Sequence, residues 1–130
     1  MADPSSSREL AGLEVVLDKL EYMSGRGNIP PETPHVFVYY LTIRNRSKLG
    51  VTLLGRKWIV IDEKGNRTVI EGDKIVGETP QLAPGESFSY NSFHLTAGDA
   101  TAEGSFHGLD QNGARVHVRI PPVPMRVPEV

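Results

Sequence analysis

The stretch HVFVYYLTIRN, residues 35–45, constrains the fold more than any other part of this 130-residue chain. It is dense in β-branched and aromatic side chains, which favour an extended strand. Alternation places four apolar residues on one face: Phe37, Tyr39, Leu41 and Ile43. We predict that this face is buried, since a repeat of two separates the buried face of a strand from the other face. Such a strand needs partner strands and a second apolar layer.

Six further segments have the pattern of strands, at residues 13–22, 51–62, 67–71, 86–95, 102–109 and 114–120. The first of them also has apolar residues at helical spacing, but the β-rich remainder of the chain favours a strand. The tetrapeptides at residues 62–65 and 110–113 have the Asp and Gly positions of a type I turn. About seven short strands and no predicted helix make the fold class all-β, with an antiparallel β-sandwich as the expected architecture.

Length, charge and cysteine content limit the class of protein. A chain of this length forms one domain, which we place at residues 9–128, after a serine-rich tail at residues 1–8 that we predict to be disordered. The net charge of −2 argues against a nucleic-acid-binding protein. The absence of cysteine fits a reducing compartment. No signal peptide or long apolar stretch is visible, so we expect a cytoplasmic protein that does not insert into membranes.

The stretch GDKIVGETPQLAPGE, residues 72–86, allows two interpretations. A dinucleotide-binding glycine loop would need a helix N-terminus directly after it, and the prolines that follow leave no room for one. Two turns fit better, with the Pro-Gly pair at residues 84–85 in the middle of a type II turn. A weaker interpretation stays open, in which exposed N–H groups around Gly72 and Gly77, beside Lys74, hold a small anion.

Several short motifs, taken in order, resemble the ApaG family, which is also called DUF525. The motifs are LLGRKWIVIDEKG, TVIEGDKIVGETP, LAPGESFSYNS and IPPVPMRVP, and the match extends over nearly the whole chain. The matching residues that we interpret as structural are Asn45, Leu54, Trp58, Pro80, Pro84, Gly85, Tyr90, Ser92, Gly104, Phe106 and Pro121. The chain departs from the family pattern at Lys74, where the pattern has the middle glycine of the glycine motif, and at Phe93, where many members have glycine.

The resemblance implies a β-sandwich like those of fibronectin type III and immunoglobulin domains, without catalytic activity. It implies an association with magnesium and cobalt homeostasis or efflux in bacteria, and a protein-interaction role in related eukaryotic domains. It also implies binding of pyrophosphate compounds at the glycine motif. Lys74 weakens that last implication, because a side chain blocks close backbone approach, although its ammonium group attracts the same anion.

Alternation along the strand at residues 51–62 places Arg56 beside Trp58, the single tryptophan of the chain. One interpretation is a cation held over an aromatic ring for recognition of a ligand or partner. The other, which we prefer, is a buried Trp58 with Arg56 extending to the edge of the core.

Two histidines form a weaker candidate site. If Gly113 adopts the left-handed conformation of a three-residue hairpin loop, the register pairs His107 with His117, and both side chains point outward. Two opposed imidazoles are ligands for a divalent transition metal, and a carboxylate or water would have to complete the site.

We predict from these observations a non-enzymatic binding module. It would contact a protein partner through loops and an open sheet edge, which would also allow a homodimer. The alternative is a sensor that binds a phosphate or pyrophosphate compound, together with a divalent cation, near Arg56, Gly72, Lys74 and Gly77. Convergence of these residues in one concave site would favour the sensor. An enzyme is least favoured, because no catalytic motif is present.

Overall fold

The computed structural model describes residues 6–24 and 29–129. Every regular element in these residues is a β-strand, which confirms the all-β fold class. The described residues include no helix that is long and apolar enough to cross a membrane. The strands are β1 (Arg8–Glu9), β2 (Leu13–Ser24), β3 (His35–Asn45), β4 (Val51–Asp62), β5 (Arg67–Asp73), β6 (Gln81–Leu82), β7 (Ser87–Thr96), β8 (Ala100–Asp110) and β9 (Arg115–Met125). The seven longer strands are those predicted, and β1 and β6 are two-residue additions.

The strands form two sheets that pack face to face as a sandwich. The three-stranded sheet has the order β2-β3-β7, and both of its pairs are antiparallel. The six-stranded sheet has the order β1-β9-β8-β4-β5, with β6 paired to the first residues of β4. The short β1 joins β9 in parallel. The predicted β-sandwich is therefore confirmed.

The core lies between the two sheets. The predicted inward face of β3 is buried, with exposures of 4% or less at Phe37, Tyr39, Leu41 and Ile43. Trp58 on β4 packs against this face, and its ring centroid lies 5.0 Å from that of Tyr39. Each large side chain buried in this way stabilises the fold by roughly 2–3 kcal/mol.

A bulge in β4 decides which of its residues face the core. The register of β4 against β8 shifts between Leu53 and Gly55. The shift changes the phase of side-chain alternation. Leu53 and Trp58 are therefore both buried, although one is at an odd and the other at an even position. Arg56 consequently lies on the same side of the strand as Trp58.

The two ends of the chain extend the sandwich further than the sequence suggested. Ser7 and Arg8, within the tail predicted to be disordered, contact the domain, and Arg8 donates to the Asp110 carboxylate at 2.8 Å. Residues 1–5 lie outside the described residues. At the other end, β9 continues past the predicted strand at residues 114–120 into the proline-rich segment and ends at Met125. Its prolines lie beyond the short β1, where β9 has no second neighbour among the described strands.

Candidate functional site

The chain between β5 and β6 turns sharply, and we call residues 73–78 the glycine loop. Ile75 and Glu78 exchange two backbone hydrogen bonds, with N···O distances of 2.8 and 3.0 Å. Val76 and Gly77 between them have φ of +44° and +81°, the signs expected in a type I′ turn. The Ile75 side chain is fully buried. The loop is therefore a turn anchored in the core, and a strand rather than a helix follows it.

The second predicted turn is also present. The Glu86 N–H donates to the Ala83 carbonyl at 2.9 Å, and Gly85 has φ of +92°. This is the hydrogen bond and the positive φ of a type II turn. Residues 72–86 thus form two turns, which confirms the prediction of turns over a dinucleotide-binding loop.

Lys74 has a backbone conformation that favours glycine. Its φ is +67°, and the left-handed region costs a residue with a side chain about 1–2 kcal/mol. The Lys74 N–H donates to the Leu54 carbonyl at 2.7 Å, which ties the glycine loop to the bulge in β4. The side chain is exposed. This conformation gives a physical reason for the glycine that the family pattern has here.

The Arg56 side chain binds the backbone of the glycine loop. Its Nη1 donates to the Asp73 and Lys74 carbonyls at 2.8 and 2.9 Å. Gly72 pairs with Arg56 across β4 and β5, and a Cβ at Gly72 would come within 2.8 Å of the guanidinium. Gly72 therefore provides space for Arg56 and does not itself present a binding group.

A cavity of about 300 Å³ opens between the glycine loop and β7. Its lining residues come from both sheets: Tyr39, Arg56, Asp73, Lys74, Val76, Gly77, Tyr90 and Ser92. Three of the four predicted ligand-binding residues thus meet here, and Gly72 lies behind Arg56. The sequence pattern predicts Tyr39 only as a core residue and gives Val76 no role in ligand binding. Alternation predicts that Tyr39 is buried but not that it borders a cavity.

The cavity wall is rich in hydrogen-bond donors. The hydroxyl of Tyr90, one of the lining residues, has no hydrogen-bond partner among the described residues. Burial raises the pKa of Tyr90 far above its ordinary value, and the nearby Arg56 charge opposes this only in part. The hydroxyl therefore stays protonated and able to donate. Arg56 and Lys74 form no ion pair with a carboxylate of the described residues.

His94 lies deeper in the same aromatic group. Its ring centroid is 4.7 Å from that of Trp58 and 4.9 Å from that of Tyr39. Its Nε2 has no partner in the described part of the chain. Burial lowers the pKa of His94 to about 4. The ring is therefore neutral near pH 7 and has the role of a core residue.

One edge of the three-stranded sheet is free. In the described chain, β7 pairs with β3 on one side and with no strand on the other. The Asn45 N–H donates to the Glu86 carbonyl at 2.9 Å, so the backbone groups of Glu86 point towards β3. The backbone groups of successive residues in a strand point alternately to its two sides, so those of every second residue after Glu86 also point towards β3. The residues of β7 whose N–H and C=O groups consequently point to the free side are Ser87, Ser89, Asn91, Phe93 and Leu95. We call these groups the free edge of β7.

The free edge of β7 lacks the features that usually protect a sheet edge. Native edges carry charged side chains, prolines or bulges that prevent pairing with another chain. The ten residues of β7 include no charge and no proline, and their register against β3 has no shift. By contrast, β2 has a register shift at Asp18 and four charged residues, and the seven-residue β5 has three. Phe93, in β7, is 55% exposed.

The predicted pairing of His107 with His117 is present. The Leu10 N–H donates to the His117 carbonyl at 3.2 Å, so that carbonyl points away from β8. His107 and His117 therefore form a non-hydrogen-bonded pair of the antiparallel ladder, in which the side chains are closely spaced. However, the His107 ring lies over Gly55, and His117 Nδ1 is 2.8 Å from Ser7 Oγ. The described residues contain no group of three metal-binding side chains. The metal site stays a prediction.

Asn45 has the clearest structural role among the residues that match the family pattern. Its side chain is 1% exposed and donates to the Leu49 and Leu82 carbonyls at 2.8 and 2.9 Å. Its Oδ1 accepts from the Ser47 N–H and hydroxyl. Asn45 thus connects β3, the following loop and β6.

Several of the other matching residues have packing or backbone roles. Trp58 and Phe106 are buried in the core. The Pro80 carbonyl accepts from the Leu53 N–H at 2.9 Å, and this bond fixes the chain before β6. A Cβ at Gly104 would lie 2.3 Å from the Lys57 carbonyl, so only glycine fits at this bulge in β8. Pro121 is partly exposed on β9.

The two sheets and the glycine loop between them define an all-β sandwich domain. Residues 27–109 match the DUF525 family, which is described as the ApaG domain. The chain is similar to a Protein ApaG of Azoarcus sp. (strain BH72), with 37% identity over 114 residues, 85% of this chain and 87% of the relative. It is 35% identical over 100 residues to a Protein ApaG of Salmonella arizonae, covering 76% and 80% of the two chains. The chain belongs to the ApaG family.

A solved structure supports the same fold. The X-ray structure of Northeast Structural Genomics Consortium target SoR45 is similar to this chain with a TM-score of 0.79 and 26% identity. The alignment covers 92% of this chain and 89% of the other.

Proposed function

We propose that the protein is a non-enzymatic interaction module that accepts an extended segment of a protein partner as an added strand on the free edge of β7. The observation that carries this proposal is the edge itself, which is ten residues long, in unbroken register with β3 and without charge or proline. An added strand pairs with unpaired backbone N–H and C=O groups, and side-chain contacts give it specificity.

The glycine loop gives less support to a phosphate sensor. The N–H groups of Lys74, Ile75 and Glu78 donate to carbonyls of the chain, and Arg56 Nη1 donates to two loop carbonyls. A phosphate cradle would need such N–H groups to be free. Convergence of Arg56 and Lys74 on one cavity nevertheless makes pyrophosphate binding, with or without magnesium, a second candidate. Saturable amide shifts confined to residues 72–80 and Arg56 would support it, and an unchanged spectrum at millimolar pyrophosphate would exclude it.

We also propose that the chain is cytoplasmic, and that it takes part in magnesium and cobalt homeostasis through contact with a protein partner. Support comes from the regular row of backbone groups on β7, which matches another chain and not a hydrated ion. The absence of cysteine supports a reducing compartment.

Strand addition is tested with a synthetic peptide of alternating valine and threonine, long enough to span β7 and with a central glutamine. We expect saturable NMR shifts at the free-side amides, such as Ser89 and Asn91. Phe93→Lys should weaken binding, because an added strand places a side chain beside Phe93. Met23→Lys is the matched control, since Met23 on β2 is 54% exposed. Equal affinities of these two variants, or no shifts in the parent protein, would contradict the proposal.

A second copy of the chain is the other occupant that the edge allows. Sedimentation of the protein alone distinguishes the two. A concentration-dependent dimer that Phe93→Lys abolishes would assign the free edge of β7 to a homodimer.

A further inference from the structure

We infer that the segment accepted by β7 carries an acidic side chain that enters the cavity between β7 and the glycine loop. This inference rests on the proposed strand addition and specifies the chemistry of the partner. It combines two features that the proposed function treats separately, the free edge and the cavity.

The cavity lies beside the free edge. Tyr90 and Ser92 belong to β7, and both line the cavity. Strands in one sheet present side chains to the same two faces, and directly opposed residues are neighbours. A residue of the added strand that lies opposite Tyr90 or Ser92 therefore points between the sheets, towards the glycine loop.

The opposite wall of the cavity carries excess positive charge. Arg56 and Lys74 contribute two cations and Asp73 one carboxylate, so the lining has a net charge of +1. Neither cation has a carboxylate within ion-pair distance in the described chain. Arg56 uses only Nη1 for the loop carbonyls, and its Nη2 and Nε have no hydrogen bond to a described residue. Nη2 and Nε of one guanidinium can donate two parallel hydrogen bonds to the two oxygens of a carboxylate.

Two more observations point to an acceptor in the partner. The Tyr90 hydroxyl lies in the wall without a partner among the described residues, and a buried donor without an acceptor is costly. Lys74 occupies a strained, left-handed conformation at the rim, and strain of this kind concentrates at binding sites. A carboxylate in the cavity would accept from Tyr90 and pair with Lys74.

The test compares the central-glutamine peptide described above with a peptide that is identical except for a central glutamate. We expect the glutamate peptide to bind about tenfold more tightly at low salt, as one charge-assisted contact gives. The difference should shrink as salt screens the charges. Lys74→Ala should remove most of the difference, whereas Lys48→Ala, at an exposed lysine of the loop between β3 and β4, should leave it unchanged.

The outcomes separate this inference from the proposed function. Equal affinity of the parent protein for the two peptides would overturn the acidic-residue inference and leave strand addition standing. An undiminished difference in Lys74→Ala would also contradict it. Failure of both peptides to bind would overturn strand addition, and this inference with it.

Discussion

The guanidinium of Arg56 lies directly over the backbone of Gly72, so that a Cβ at position 72 would come within 2.8 Å of both terminal nitrogens. The same guanidinium donates to the Asp73 and Lys74 carbonyls. The missing side chain at Gly72 therefore allows Arg56 to hold the glycine loop in place.

Gly72→Ala should displace Arg56 and lower the free energy of unfolding by about 1–3 kcal/mol, because the displaced guanidinium loses its hydrogen bonds to the Asp73 and Lys74 carbonyls. Chemical unfolding measures the change. Gly50→Ala is the matched control, because the nearest atom to a Cβ there is 3.6 Å away, an ordinary contact. A Gly72→Ala protein as stable as the Gly50→Ala protein would show that Arg56 does not need this space.

Lys74→Gly should be more stable than Lys74→Ala by about 1 kcal/mol. Glycine adopts the positive φ of position 74 without steric cost, whereas alanine keeps that cost. Unfolding curves of the two variants under one condition give the difference. A more stable Lys74→Ala protein would mean that residue 74 does not keep this conformation in solution.

Asn45→Ala should cost about 2–4 kcal/mol, because it leaves the buried Leu82 carbonyl without its Asn45 donor and opens a small cavity. We expect faster amide hydrogen exchange in β6 as well, since Asn45 attaches that strand. Ser92→Ala, at a partly buried residue of the cavity, is expected to cost much less. Similar losses in both variants would contradict the role given to Asn45.

His94 should make the fold sensitive to acid. Its pKa falls from about 6.5 to about 4 in the folded protein, so between these values the unfolded state binds a proton that the native state excludes. The contribution of His94 to the free energy of unfolding is therefore fully present above about pH 6.5. It is lost as the pH falls towards 4, by at most about 1.4 kcal/mol per pH unit.

His94→Phe should remove this contribution. The measurement is the free energy of unfolding of both proteins at about pH 7 and about pH 5, where the parent should lose roughly 2 kcal/mol more than the variant. An equal loss in the two proteins would show that His94 is already protonated or exposed near pH 5.

The strands and turns could be predicted because the signals that determine them are local. Alternation in residues 35–45 identified the buried face of β3, and a proline and a glycine at residues 84–85 identified the type II turn. The position of Gly113 even gave the register that pairs His107 with His117. In each case, residues close in sequence determine the conformation.

The arrangement of the site depends on strand order, on which alternation gives no information. Gly72 has its role only because β5 pairs with β4 and places Gly72 beside Arg56. Tyr39 lines the cavity because the packing of the two sheets brings it beside Arg56, although its pattern in sequence is that of any core residue. The free edge of β7 could not be identified either, because an edge strand and a central strand of similar composition have the same alternation.

Amide hydrogen exchange along β7, with and without the central-glutamine peptide, directly tests whether a strand adds to this edge. We predict that the amides of Ser89, Asn91 and Phe93 exchange quickly in the free protein and become protected when the peptide binds, because their N–H groups then donate to the added strand. The amides of Tyr90 and Ser92 should be protected in both states. Unchanged fast exchange at Ser89, Asn91 and Phe93 with saturating peptide would contradict strand addition on β7.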